Sequence, residues 1–285
     1  MTDDRARLLA GLPLTERWLD LAGVPTVVLE GGSGPPMVLL HGPGEFGLTW
    51  LPVLEELART HRLVVPDLPG HGASGLPDGD LDTDVMLRWL DELIVQACTA
   101  PPVVVGRVVG GAIAARHAIQ HPGRSAGLVL VDTLGLVPFA PSPRFLLAMQ
   151  RFLAQPTAQT YERFMALCAF DVDGARQRLG NRWEPFARYA VDLAARPGVQ
   201  AAMGAVIRQF SLPIPPELLD RIDVPTTLIW GRDDMATSVA VAEAAAARHG
   251  WPLHVIPDAG DDPALDRPDA FLQALGLALA LEKTP

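Results

Sequence analysis

Seven short, nearly unbroken apolar runs punctuate this chain, and no other feature restricts its fold as much. They occupy residues 27–29, 37–40, 63–65, 103–105, 128–131, 227–230 and 253–256. A strand with one wetted face alternates apolar and polar residues. A strand covered on both faces has no reason to alternate, and these runs do not. Stretches with helical spacing lie between them, at residues 49–59, 83–97, 110–120, 239–249 and 269–281. Strand and helix in this rhythm predict an α/β protein: a mostly parallel central sheet flanked by helices.

The chain is long and apolar enough to bury such a sheet. It has 285 residues, 49% of them hydrophobic, and a chain of this size buries roughly three quarters of its unfolded surface. Its formal charge is −10, which argues against nucleic acid or an anionic membrane as partner, since both attract basic surfaces. The expected partner is a small-molecule ligand or substrate, met by a monomer or homodimer. Cys98 and Cys168 are the only cysteines and form no CxxC pair, so neither a disulfide framework nor a zinc site is expected. No histidine spacing suggests a metal, and no glycine-rich dinucleotide fingerprint follows the first strands, so no cofactor is expected. No apolar run approaches the roughly 20 residues of a membrane span, and no leader is legible. The expected location is cytoplasmic.

One region breaks the rhythm. Residues 134–216 show helical segments separated by Pro and Gly, and no strand. They carry nine arginines against five acids, a net of +4, which leaves −14 for the remainder. The expected division is a core of residues 1–133 and 217–285 with an inserted helical cap of residues 134–216. The cap charge reads either as a solvated surface or as help in binding an anionic substrate.

Five motifs fall at strand ends: His41-Gly42-Pro43-Gly44, Asp67-Leu68-Pro69-Gly70-His71-Gly72, Gly106-Arg107-Val108-Val109-Gly110, Trp230-Gly231-Arg232-Asp233-Asp234, and Ala259-Gly260-Asp261-Asp262-Pro263. In that order they resemble the cap-containing α/β-hydrolase superfamily. The resemblance implies that fold and, for its usual members, a triad in the chain order Ser, Asp, His. Here the triad is degenerate. The nucleophile position in G-x-S-x-G is Val108, and valine cannot attack a carbonyl. The position of the base, in a loop like A-G-H-x-P, is Asp261. The acid position is kept as Asp234, 27 residues before Asp261; Asp132, after the fifth run, is a weaker candidate. His249 and His254 read as structural. In the oxyanion region the resemblance assigns one N–H to Val109 and the other to Pro43, which has none, so Gly44 is the substitute.

If the family's loops are kept, Asp234 and Asp261 face each other. Two close carboxyls in a pocket then share a proton and can do acid–base chemistry. The alternative is that Arg107, beside Val108, neutralises the pair. Glu45, at the expected pocket mouth, is a third acid–base candidate. Phe46, Trp50, Phe139, Phe145, Phe164 and Trp183 are candidates for the pocket wall. Together these residues suggest a non-hydrolytic enzyme: a lyase, isomerase, cyclase or decarboxylase, acting on an apolar, optionally anionic, small molecule. The alternatives are a receptor-like pseudo-hydrolase that only binds its ligand, a pseudoenzyme working through its surface, and an engineered, triad-less variant of an esterase-like hydrolase.

Overall fold

The computed structural model describes residues 2–281; residues 1 and 282–285, at the ends of the expected core segments, lie outside it. All seven apolar runs are strands of one eight-stranded sheet, with one more strand before them. In chain order these are β1 (Leu14–Leu21), β2 (Val24–Gly31), β3 (Pro36–Leu40), β4 (Arg62–Pro66), β5 (Val103–Arg107), β6 (Gly127–Val131), β7 (Thr226–Gly231) and β8 (Leu253–Ile256). Across the sheet the order is β1-β2-β4-β3-β5-β6-β7-β8. The β1–β2 and β2–β4 pairings are antiparallel, and every pairing from β4 onward is parallel.

The helices are α1 (Thr2–Leu9), α2 (Leu51–Ala58), α3 (Thr83–Ala97), α4 (Val109–Gln120), α5 (Pro143–Ala154), α6 (Ala158–Cys168), α7 (Val172–Leu179), α8 (Trp183–Ala194), α9 (Pro197–Phe210), α10 (Pro216–Leu219), α11 (Val239–His249), α12 (Pro263–Asp266) and α13 (Pro268–Leu281). Successive strand residues point to opposite faces, so each unbroken run feeds two cores. Val105, Val129 and Ile229 pack with Leu54 of α2 and Phe271 of α13. Val104, Leu128 and Leu228 pack with Trp89 of α3, Ile113 of α4 and Ala242 of α11. Side-chain caps set where helices begin. The Asp82 carboxylate accepts from the Val85 N–H to open α3, and Ser238 does the same for α11 from Ala240. Gly250, left-handed at φ 70°, ends α11.

Two elements before β2 were not expected. β1 is an edge strand whose exposed positions carry Glu16, Arg17, Trp18 and others, so it has no apolar run to find. α1 packs on α8 and is anchored by charge: the buried Arg5 pairs with Glu16 at 2.7 Å and Asp67 at 2.9 Å. Between β6 and β7 there is no strand among the described residues; α5–α10 fill the interval.

Candidate active site

β5 passes into α4 through one residue, Val108, held at φ 51° and ψ −111°. A β-branched residue rarely adopts this conformation, which costs roughly 1–3 kcal/mol. Glycines make the turn possible. A Cβ on Gly106 would stand 2.4 Å from the Gly110 carbonyl oxygen, and one on Gly110 would stand 2.6 Å from that of Leu40. Hydrogen bonds hold the strain in place. The Val108 N–H donates to Val131 at 2.9 Å, and the Val108 carbonyl accepts from the Leu134 N–H at 3.1 Å and the Thr133 hydroxyl at 3.2 Å. The turn presents the side chain at 108 to a cavity, and that side chain has no nucleophilic atom. Val109 opens α4, so its N–H has no intrahelical acceptor. Pro43 and Gly44 both line the cavity.

The other motif residues hold loops rather than face the cavity. His41 Nε2 accepts from the Leu68 N–H at 2.9 Å, so its proton sits on Nδ1, which donates to the Gly42 carbonyl at 2.7 Å. Burial keeps this ring neutral, with its pKa well below the usual value. The Asp67 carboxylate accepts from the Gly47 N–H at 2.6 Å and the Ala73 N–H at 2.8 Å. The first two motifs are thus tied to each other.

The Asp234 charge acts on Asp261 and also on a third acid, Asp132. Asp234 has a second buried carboxyl neighbour, Asp132, whose own carboxyl is raised by the Asp234 charge. Asp234 Oδ1 accepts from the N–H groups of Ala236 at 2.6 Å and Thr237 at 3.0 Å, and Asp132 Oδ1 accepts from Gly231 at 2.9 Å. Each acid's Oδ2 is buried without a donor, and one proton shared between them satisfies both. Burial pushes the Asp234 carboxyl up to about 7. Burial first, and then the Asp234 charge, holds Asp132 well above the carboxylate range. Asp261 is raised by the same two causes in the same order. It lines the cavity, whereas Asp234 does not.

Arg107 forms its ion pairs with two other acids. Its buried guanidinium forms ion pairs with Glu45 and with Asp262 Oδ2, the latter at 3.0 Å, and hydrogen-bonds the Asp261 backbone carbonyl at 3.4 Å, while its charge also acts on the Asp261 and Asp234 carboxyls. Glu45 lines the cavity as expected, but its carboxylate is committed to Arg107 and to the Gly42 N–H at 2.8 Å. Asp262, which the sequence reading did not single out, caps α12 through Oδ1. Burial, opposed by Arg107, pushes its carboxyl up to about 7.

The cavity measures about 130 Å³. Phe46, Phe139, Phe145 and Phe164 line it as expected. Trp50 and Trp183 do not. Trp50 packs against Phe271 under the sheet, and Trp183 lies between Phe186 and the Arg176 guanidinium. Both are large enough to be taken by the core first. The sequence reading missed Tyr161, Met165 and Cys168 of α6, which line the cavity with Phe164. Their spacing of three, four and seven residues from Tyr161 is one face of a helix, a signal that was present. No histidine lines the cavity among the described residues, and Arg107 is its only cationic side chain. The arginines of residues 134–216 therefore do not supply an anion site there.

A model of the alpha/beta hydrolase family matches residues 37–274. A 2-hydroxy-6-oxo-6-(2'-aminophenyl)hexa-2,4-dienoic acid hydrolase from Metapseudomonas resinovorans is 28% identical over 270 residues, 91% of this chain and 89% of its own. A pimeloyl-[acyl-carrier protein] methyl ester esterase from Chromobacterium violaceum is 32% identical over 254 residues, 86% of this chain and 94% of its own. The solved structure of a serine hydrolase involved in carbazole degradation matches with a TM-score of 0.76 at 26% identity, covering 94% of this chain and 99% of its own. All three are named as hydrolases. They overturn the expectation of a lyase, isomerase, cyclase or decarboxylase and lend no support to the receptor-like, surface-acting or engineered alternatives. No helix among the described residues is long and apolar enough to cross a membrane.

Proposed function

The chain belongs to the alpha/beta hydrolase family, and from that membership we propose that it hydrolyses a small, largely apolar carbonyl compound, with water rather than a serine as the attacking group. The observation that carries this reading is Asp261. Its carboxyl stands at the base position of the family motif and lines an aromatic cavity. In this reading the triad is degenerate: Val108 replaces the nucleophile, Asp261 replaces the base, and Asp234 is retained but bound to Asp132. Residues 134–216 form a helical cap over a core of residues 1–133 and 217–285. The protein is a cytoplasmic monomer or homodimer.

The ionised Asp261 carboxylate takes a proton from a water as the water oxygen bonds to the substrate's carbonyl carbon. The tetrahedral oxyanion collapses, the bond to the leaving group breaks, and the proton on Asp261 goes to that group. The Val109 N–H is the oxyanion donor retained from the family pattern. Pro43 has no N–H, so the other donor falls to Gly44, and without it the rate would drop by about 100- to 1,000-fold. This chemistry is slower than acyl transfer to an activated serine, since losing the nucleophile alone removes most of a triad's roughly million-fold effect. The relatives named above act on an aminophenyl dienoic acid and on a methyl ester, and the wall of Phe139, Phe145, Phe152 and Phe164 suits the apolar part of such a molecule. Arg107 is already balanced by Glu45 and Asp262, so a neutral ester fits better than an anion.

The test is hydrolysis of a neutral aryl ester in ¹⁸O-labelled water, followed by mass spectrometry of product and protein. The expected result is label in the acid product, no covalent acyl adduct, and a kcat at least about 100-fold lower in Asp261→Asn. An acyl adduct, or unchanged turnover in Asp261→Asn, overturns the proposal. Because the Asp261 carboxyl is held above the usual range, kcat should rise with pH as it ionises.

A further inference from the structure

On the flank of the sheet, away from the cavity, α3 and α4 bring together Asp91, His117 and His121. Among the described residues this is the one grouping of three side chains whose donor atoms all lie within 4.8 Å of one another. His117 Nε2 is 3.6 Å and His121 Nδ1 is 3.8 Å from the same oxygen, Asp91 Oδ1. Zinc ligands about 2.0–2.1 Å from a tetrahedral metal stand about 3.4 Å apart, so the two His–Asp distances are near that spacing, and binding would require the stacked rings to turn toward one ion. His117 is 1% exposed, and its Nε2 is buried with no hydrogen-bond partner. His121 Nε2 and Asp91 Oδ1 are likewise buried without one. The two imidazoles stack with centroids 4.7 Å apart, the consequence of a four-residue spacing on one helix face.

We propose that Asp91, His117 and His121 form a site for a divalent transition metal of the zinc, nickel or copper(II) class. Two imidazoles and one carboxylate are the donor set such ions prefer, and calcium or magnesium would require more oxygens. Two further features favour a cation. His121 is the C-cap of α4, so the negative end of that helix faces the site. The Asp91 and His121 side chains are 20% and 27% exposed, which leaves an entry path and room for a water as fourth ligand. The Arg124 guanidinium now occupies that side, with Nε 2.9 Å from Asp91 Oδ1, though not in hydrogen-bond geometry. It is 49% exposed, and a metal would take its place beside Asp91. The metal would tie α3 to α4 and take no part in hydrolysis.

The experiment is calorimetric titration of zinc chloride into the purified full chain, with melting temperatures measured alongside. One zinc should bind per chain and raise the melting temperature. His121→Gln, at a partly exposed position, should melt like the wild type without metal and bind zinc at least about tenfold more weakly. Arg124→Gln should bind zinc more tightly, because it removes a competing cation. No binding, or equal binding by wild type and His121→Gln, overturns the proposal; the latter result would place zinc on other side chains.

Discussion

In the proposed reading Val108 and Asp261 together set this chain apart from serine hydrolases, and neither residue makes sense there alone. A serine at 108 beside Asp261 has only a carboxylate, a far weaker base than imidazole, to take its proton, and a histidine at 261 beside Val108 has only water to activate. Groups that act as a unit are grossly non-additive. Val108→Ser and Asp261→His should therefore each give no acyl-enzyme. The double variant should show a burst of ester cleavage and exceed the product of the single effects by at least about tenfold. Rapid-mixing kinetics reads this directly; absence of a burst would mean that the acid partner, Asp234, is too tightly engaged with Asp132 to orient the new imidazole. These two departures were legible from the sequence because each occupies a fixed place in a short motif. Asp262 was not, although it stands in the same motif: its ion pair to Arg107 joins residues far apart in the chain.

The strand–turn–helix of β5 and α4 is where sequence pattern and structure agree most closely. Apolar β5, two glycines and a helix beginning at the next residue leave the backbone one way to turn. Gly106→Ala should destabilise the protein by more than about 2 kcal/mol in urea denaturation, since its Cβ would strike the Gly110 backbone rather than a movable side chain. A variant as stable as the wild type would show that the turn can open. The helices between β6 and β7 are the opposite case. Their pattern announces helix but not which face meets the cavity. Phe145 and Phe164 face it, while Trp183 turns to the core beside Phe186, and nothing local distinguishes them. β1 escaped notice for a related reason: an edge strand paired on one side only can be charged along most of its length.

Across the whole molecule the acids set a pH dependence. Asp234 and Asp262 are raised by burial from an ordinary value of 3.8 to about 7, and Asp132 and Asp261 are raised as well. In this window the folded state keeps protons that the unfolded state releases. Their contribution to stability is therefore fully present below the ordinary carboxylate range and is lost as pH rises through about 7. The melting temperature should fall between about pH 5 and about pH 8. Asp234→Asn should flatten that fall and melt higher than the wild type at the alkaline end. Its amide would donate to Asp132 in place of the shared proton. A steeper fall in the variant would show that Asp132 and Asp234 do not share one.

The sequence alone determined the α/β sheet, because burial on both faces writes itself into each strand as a run of apolar residues. It also determined that Val108 and Asp261 stand within two of the five motifs, because those positions are tied to glycines and turns only a few residues away. Tertiary structure decided which carboxyl pairs with which, where Arg107 spends its charge, which aromatics reach the cavity, and that Asp91 meets two histidines of a neighbouring helix. These are contacts across long stretches of chain, and their energies depend on distance and burial, which no local pattern of residues encodes.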